Sequence, residues 1–425
     1  MISLTTQIAV VGSGPAGLAA ASEAHSMGAR VLLIEERPVL GGRAVIVPGA
    51  RGLAEGLVRN LRAIEVWRSS PVWGLLGRTL AVVRAGRPCA VDAEAIILAT
   101  GAVEYLLPFP GWTLDGVNTI EAGWEAIRAG RIGPENGPAV VAGGTEAAGL
   151  ATRLAERGVA VLLVHGGRLK EVPERVRVIA SAPIEARGDE AVERVVLRDG
   201  SEHQCRMLCI ESPRAPMIDL IRLAGTPCVY EARLGGFVPR YDRTMALHGP
   251  TAGIYVAGDS GGVDLPKAAA EMGRLAARSA LRSFAALPEL AELDEKVEES
   301  WQLLRATSAP LCARAREALV IGAMPDEVTE SWHGPSETIF CPCEGVTAGE
   351  LRAALADGAL NADDLKRETR CGMGACQWRR CGGPVMRWLS GALDVPIGRL
   401  PLPRVRPPVR PLPLRVLAEL EEAPR

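Results

Sequence analysis

The segment Gly12-Ser13-Gly14-Pro15-Ala16-Gly17 restricts the possible fold more than any other part of the sequence. It follows a β-branched run, Ile8–Val11, and opens a stretch, Pro15–Met27, with apolar residues at helical spacing. Val31–Ile34 then reads as a second strand. Strand, glycine turn, helix, strand is a βαβ unit, and such a unit forces a parallel sheet. Gly12 permits the tight turn, Gly14 lets a pyrophosphate approach the backbone, and Gly17 lets the helix pack close to the strand. The helix N-terminus, with Pro15 and Ala16 in its first turn, offers phosphates free N–H groups and the positive end of a dipole. Glu35 comes 23 residues after Gly12, at the end of the second strand, with Glu36 beside it. A carboxylate there can hold a ribose hydroxyl. A tight turn without a ligand would explain the glycines alone, but not the acid at that distance.

A second unit of the same kind spans 138–165: strand Ala139–Ala142, a helix across Glu146–Arg157, strand Val159–Val164. Two such units within 425 residues predict an α/β chain with two Rossmann-like dinucleotide-binding domains. The second loop is degenerate. Gly143 is kept, but Thr145 and Ala148 replace the second and third glycines. Thr145 puts a β-branched side chain where a pyrophosphate would approach, and Glu146 adds a like charge. The strand ends at His165 instead of an acid, although Arg168 nearby could meet a 2′-phosphate. The expectation is that no nicotinamide nucleotide binds. A dithiol reductase is not expected either, because Cys205 and Cys209 are separated by three residues and neither unit holds a Cys-x-x-Cys.

Three further segments carry a resemblance. They are Leu40-Gly41-Gly42-Arg43, Ile97-Leu98-Ala99-Thr100-Gly101 and Tyr255-Val256-Ala257-Gly258-Asp259. In this order they resemble the flavoprotein superfamily with two dinucleotide domains that includes thioredoxin reductase and glutathione reductase. The resemblance implies FAD at the first loop, with Asp259 on the ribityl-phosphate region. Carried over, it gives Gly12, Gly14, Pro15, Ala16, Gly17, Glu35, Glu36, Gly42, Arg43, Thr100, Gly101, Gly258 and Asp259 as cofactor-binding residues.

Five of the ten cysteines (Cys341, Cys343, Cys371, Cys376 and Cys381) fall close together near the end of the chain. Four thiolates from two short loops suit zinc or a [2Fe–2S] cluster. A Cys-x-Cys half is short for zinc, and Gly372 and Gly374 let backbone N–H groups turn toward sulfur, which favours a cluster. Thr347-x-x-Glu350 is a capping box, and helices are expected at 348–357, 362–369 and 376–390. The block resembles the [2Fe–2S] domain of the bacterioferritin-associated-ferredoxin (BFD) type. That resemblance implies Cys341, Cys343, Cys371 and Cys376 as ligands, with Cys381 the rival for the fourth place. The usual second pair of that family is Cys-x-x-Cys, whereas four residues separate Cys371 from Cys376.

Net charge is −2, so a nucleic-acid partner held by bulk charge is not expected. No basic and apolar leader opens the chain, and no apolar run approaches the ~18 residues of a membrane span. The expectation is a cytoplasmic chain, membrane-associated only through partners. Beyond Gly398 lies a tail with six prolines between 401 and 413 and arginines at 399, 404, 406, 410 and 415. Such a tail is extended and suited to lie across a partner.

Taken whole, the chain resembles the large FAD and [2Fe–2S] subunit of hetero-oligomeric amine and amino-acid dehydrogenases. The opine oxidase A subunit, the hydrogen cyanide synthase B subunit and the D-hydroxyproline dehydrogenase α subunit belong to that family. Pro108-Phe109-Pro110-Gly111-Trp112-Thr113 and Thr369–Gln377 are its more specific segments here. The implied organisation is an FAD domain at 1–107 and 237–287 and a degenerate second domain at 108–236. A helical linker at 288–334, the BFD-like module at 335–395 and a docking tail at 396–425 complete it. The implied partners are a β flavoprotein subunit that oxidises the C–N bond and a small γ subunit. Some members hold a further flavin, FMN, between subunits. No catalytic residue for C–H or C–N chemistry is identifiable, which fits an electron-transfer role. The alternatives are a self-sufficient NAD(P)H-dependent reductase, which needs a working second loop, and a non-redox scaffold, which does not need intact cluster ligands.

Overall fold

The computed structural model describes residues 2–45, 49–167, 176–284, 287–310, 312–313, 315–316 and 332–421. Arg168 and most of the stretch 311–322 lie outside them.

The strand Ile2–Val11 pairs in parallel with Val31–Ile34 on one side and Arg87–Leu98 on the other, with Ile8 opposite Val31 and Val10 opposite Ile97. Glu65–Trp67 extends the sheet beyond Val31–Ile34. Thr79–Arg84 and Val72–Leu76 form its antiparallel side, and Ile254–Val256 joins the end of Arg87–Leu98. Ile8, Ala9, Val10, Ile96, Ile97 and Leu98 are fully buried. Continuous apolar runs of this kind belong to parallel strands covered on both faces. The covering helices, Pro15–Ser26 and Pro266–Arg282, are rich in Ala and Gly and lie very close. A Cβ at Gly273 would sit 2.0 Å from the Ala16 carbonyl oxygen. The parallel strands end together near Gly12, Glu35, Ala99 and Ala257, the edge where α/β sheets bind ligands.

A second parallel sheet runs in the order Arg177–Ala180, Val161–His165, Ala139–Ala142, Met207–Ile210, Val117–Thr119. The short strands Ala102–Glu104 and Arg214–Pro216 pair antiparallel between the two sheets. The cysteine module has its own core of Phe340, Leu351, Leu365, Trp388 and Leu389. Its first helix, Ala348–Ala356, begins with the Thr347–Glu350 capping box in place.

Two elements differ from the sequence expectation. The third helix of the module starts at Gly382 instead of 376. Gln377 (φ 50°) and Trp378 (φ 73°) occupy the left-handed region, which a right-handed helix cannot include. The Pro-rich tail ends in a helix, Leu414–Glu421, and lies on its own chain. Val409 donates its N–H to the Trp73 carbonyl at 2.8 Å, and Val409 and Val416 are buried. Among the described residues no helix is long and apolar enough to cross a membrane.

Candidate functional site

The first glycine loop takes its shape from contacts that leave no room for side chains. Gly12 has φ +102°, and a Cβ there would lie 2.2 Å from the Ala99 oxygen. A Cβ on Gly17 would lie 1.8 Å from the Gly12 oxygen, so Gly17 backs the loop. At Gly14 a Cβ would meet nothing within 4 Å. The backbone is therefore open to a ligand at the position expected to face a pyrophosphate. Every expected cofactor residue except Gly17 lines one cavity of about 780 Å³. That volume lies within the range of cofactor pockets.

Glu35 is buried and folds back on the loop, accepting from Ser13 N at 2.7 Å, Ser13 Oγ at 2.6 Å and Arg37 N at 2.8 Å. Asp259 lies beside Arg214, at 3.3 Å. Burial pushes its carboxyl up, and Arg214 partly offsets this. Arg43 reaches across to the second domain and pairs with Glu146, with Glu104 at 3.7 Å and Glu121 at 3.9 Å. Its Nε is buried without a hydrogen-bond partner, which leaves one cationic donor at the cavity wall. Open glycine backbone and an unsatisfied guanidinium N–H both fit an anionic dinucleotide.

The second loop is already occupied by the protein itself. Glu211 Oε2 accepts from Gly144 N at 2.8 Å and Ala147 N at 3.1 Å. A Cβ on Gly143 would lie 2.3 Å from the Glu211 Cβ. The carboxylate thus takes the backbone donors at the start of the helix Thr145–Glu156 that a phosphate would need. Sequence reading found Thr145 and Glu146 but missed Glu211. The available signal was an acid directly after the strand Met207–Ile210, which lies next to Ala139–Ala142 in the sheet.

All five C-terminal cysteines converge. The sulfurs of Cys341, Cys371 and Cys381 lie within 4.8 Å of one another. Cys376 bonds to the thiols of Cys381 and Cys343. The group within 4.8 Å therefore contains Cys381 and not Cys376. Hydrogen bonds from the Cys371 and Cys381 thiols pull the Cys341 thiol far down, and both donors are pushed up in consequence. Gly372 N also donates to Cys341 Sγ, at 3.4 Å. Five converging sulfurs supply a donor set suited to a metal cluster. Trp112 Nε1 donates to the Ile339 carbonyl at 2.6 Å and latches the second domain to this module. The remaining five thiols lie outside this group and are free. Burial lifts those of Cys205, Cys209 and Cys228 to about 12.

Fold and sites together define a flavoprotein of two dinucleotide domains with an attached [2Fe–2S] module. The pyridine nucleotide-disulphide oxidoreductase model matches residues 6–273, and the BFD-like [2Fe-2S] binding domain model matches 339–390. The opine oxidase A subunit of Agrobacterium tumefaciens (strain Ach5) is 31% identical over 98% of this chain and 92% of its own length. The HcnB subunit of hydrogen cyanide synthase from Pseudomonas protegens is 26% identical over 95% of this chain and 96% of its own. The chain belongs to the oxidoreductase family of these two proteins, with FAD and a [2Fe–2S] cluster as its cofactors. Among solved structures, L-proline dehydrogenase from P. horikoshii shares the fold, with a TM-score of 0.75 at 23% identity over 98% of this chain and 80% of that one.

Proposed function

We propose that this chain relays electrons from a partner flavoprotein subunit, which oxidises the C–N bond of an amino acid or amine, to an acceptor. The observation that carries this reading is Glu211 on the amides of the second loop. Its carboxylate fills and repels the place where the pyrophosphate of a nicotinamide dinucleotide would bind, so electrons must arrive another way. FAD handles electrons in pairs and a [2Fe–2S] cluster passes them singly, which suits a relay between unlike donors and acceptors. The chain's own residues bind and orient. The Gly12–Gly17 loop accepts the pyrophosphate and Arg43 Nε supplies a charged donor. Gly42, Thr100, Gly101, Gly258 and Asp259 shape the remainder of the cavity. Cys341 and Cys343 supply one pair of thiolates to the cluster, and the other pair comes from Cys371, Cys376 and Cys381. Substrate choice lies with the β subunit. A small γ subunit and an interfacial FMN belong to the same reading.

The test is an anaerobic visible spectrum of the purified full chain, with NADH and then NADPH added. Flavin and cluster bands that neither nucleotide bleaches are expected, with bleaching once the partner subunit and its substrate are supplied. Rapid bleaching by either nucleotide alone would establish the self-sufficient reductase instead.

A further inference from the structure

The C-terminal tail contributes something that the sequence patterns do not assign. Among its arginines, Arg404 and Arg406 are exposed, whereas the Arg410 side chain is only 14% exposed. Arg410 lines the same cavity as Gly12, Gly14 and Glu35. Its Nε donates to Glu36 Oε2 at 2.9 Å, its Nη1 donates to the Val409 carbonyl at 3.0 Å, and Asp219 lies 3.5 Å from Nη1. Nη2 makes no hydrogen bond among the described residues. Glu36 directly follows the strand Val31–Ile34 and Glu35, so Arg410 stands at the end of the cavity where the dinucleotide fold puts ribose and adenine. Ser70 and Val72 line the cavity too, one strand over.

The backbone around Arg410 is held from three directions. Val409 N bonds to the Trp73 carbonyl at 2.8 Å. Arg379, in the cluster loop, donates to the Val409 carbonyl at 2.9 Å. Arg222, beneath the same tail, donates to the Pro403 carbonyl. A long side chain fixed this way has lost much of its freedom before any ligand arrives, so it can contribute more to binding than a mobile surface arginine.

We propose that Arg410 is a cofactor-binding residue: the tail lays its guanidinium over the adenosine end of the FAD site, where the free Nη2 and the flat cationic face meet the adenine or ribose. The proposal rests on FAD being the ligand of the first loop. It adds a part of the site that comes more than 370 residues after the glycine loop.

The experiment uses flavin-stripped full-length chain, titrated with FAD and separately with ADP, for wild type, Arg410→Ala and Arg410→Lys. Flavin fluorescence and calorimetry report affinity, and iron content with the visible spectrum reports the cluster. Loss of one charge-assisted contact predicts about tenfold weaker binding of both FAD and ADP in Arg410→Ala, partial recovery in Arg410→Lys, and unchanged iron. Limited proteolysis across 401–416 shows whether the tail stays packed. Unchanged FAD and ADP affinities in Arg410→Ala, with the tail packed or loose, would overturn the proposal. Wild-type chain that takes up neither FAD nor ADP would overturn the FAD assignment, and this proposal with it.

Discussion

One carboxylate decides whether the second glycine loop can hold a phosphate. Glu211 satisfies Gly144 N and Ala147 N, two donors that the helix itself leaves unpaired. Its removal should therefore destabilise the chain, by about 1–3 kcal/mol for donors left without a protein partner. Glu211→Ala is expected to unfold at lower temperature than wild type, and sulfate should restore more of the loss in the variant, because an anion can replace the carboxylate. An unchanged midpoint would mean that water serves the two amides equally well. Cys381 is the other decisive residue. Its thiol contacts those of Cys341, Cys371 and Cys376, so it stands at the centre of the five. Cys381→Ser is expected to lose most of its iron and its cluster absorption, measured on protein purified without oxygen. Full retention of the cluster would assign the fourth place to Cys376. Sequence spacing could not separate the two, because the backbone reverses at Gln377 and Trp378 between them. Glu211 was hidden for a similar reason. It lies 67 residues from Gly144, and only the order of strands in the sheet brings the two together.

At the scale of elements, local rules were legible and long-range ones were not. The glycine turn, the apolar strand runs and the Thr347–Glu350 box each act within a few residues, and each forms in the structure. The start of the helix Gly382–Leu393 depends on Trp378 instead. That ring packs where a Cβ on Gly372 or Gly382 would stand, 2.1 and 2.4 Å from it, and the backbone turns to place it. The capping box offers a measurement. Hydrogen bonds from Thr347 N–H and Oγ hold the Glu350 carboxyl below its usual range. A depressed carboxylate stabilises the fold above its unfolded pKa, and that contribution is lost as pH falls through the folded one. Glu350→Ala should cost about 0.3–1.5 kcal/mol near neutral pH, read from the module's unfolding transition. The gap to wild type should close as the pH drops below about 4. A gap that persisted there would assign the effect to packing.

For the molecule as a whole, the two sheets and the cysteine module were readable because each carries its own periodicity and motif. How they join was not. The Trp112–Ile339 bond and the Arg43 contacts to Glu104, Glu121 and Glu146 link segments far apart in the chain. The tail was expected to lie across a partner subunit, whereas in the structure Val409 bonds to Trp73 of the chain's own first sheet. That last contact has a consequence in time. The strand Ile2–Val11 and its glycine loop leave the ribosome early, while residues 403–416 emerge long afterwards. Until they do, Trp73 and Glu36 lack the contacts that Val409 and Arg410 make to them. The side of the cavity that Arg410 lines is therefore the last part of its wall that synthesis supplies.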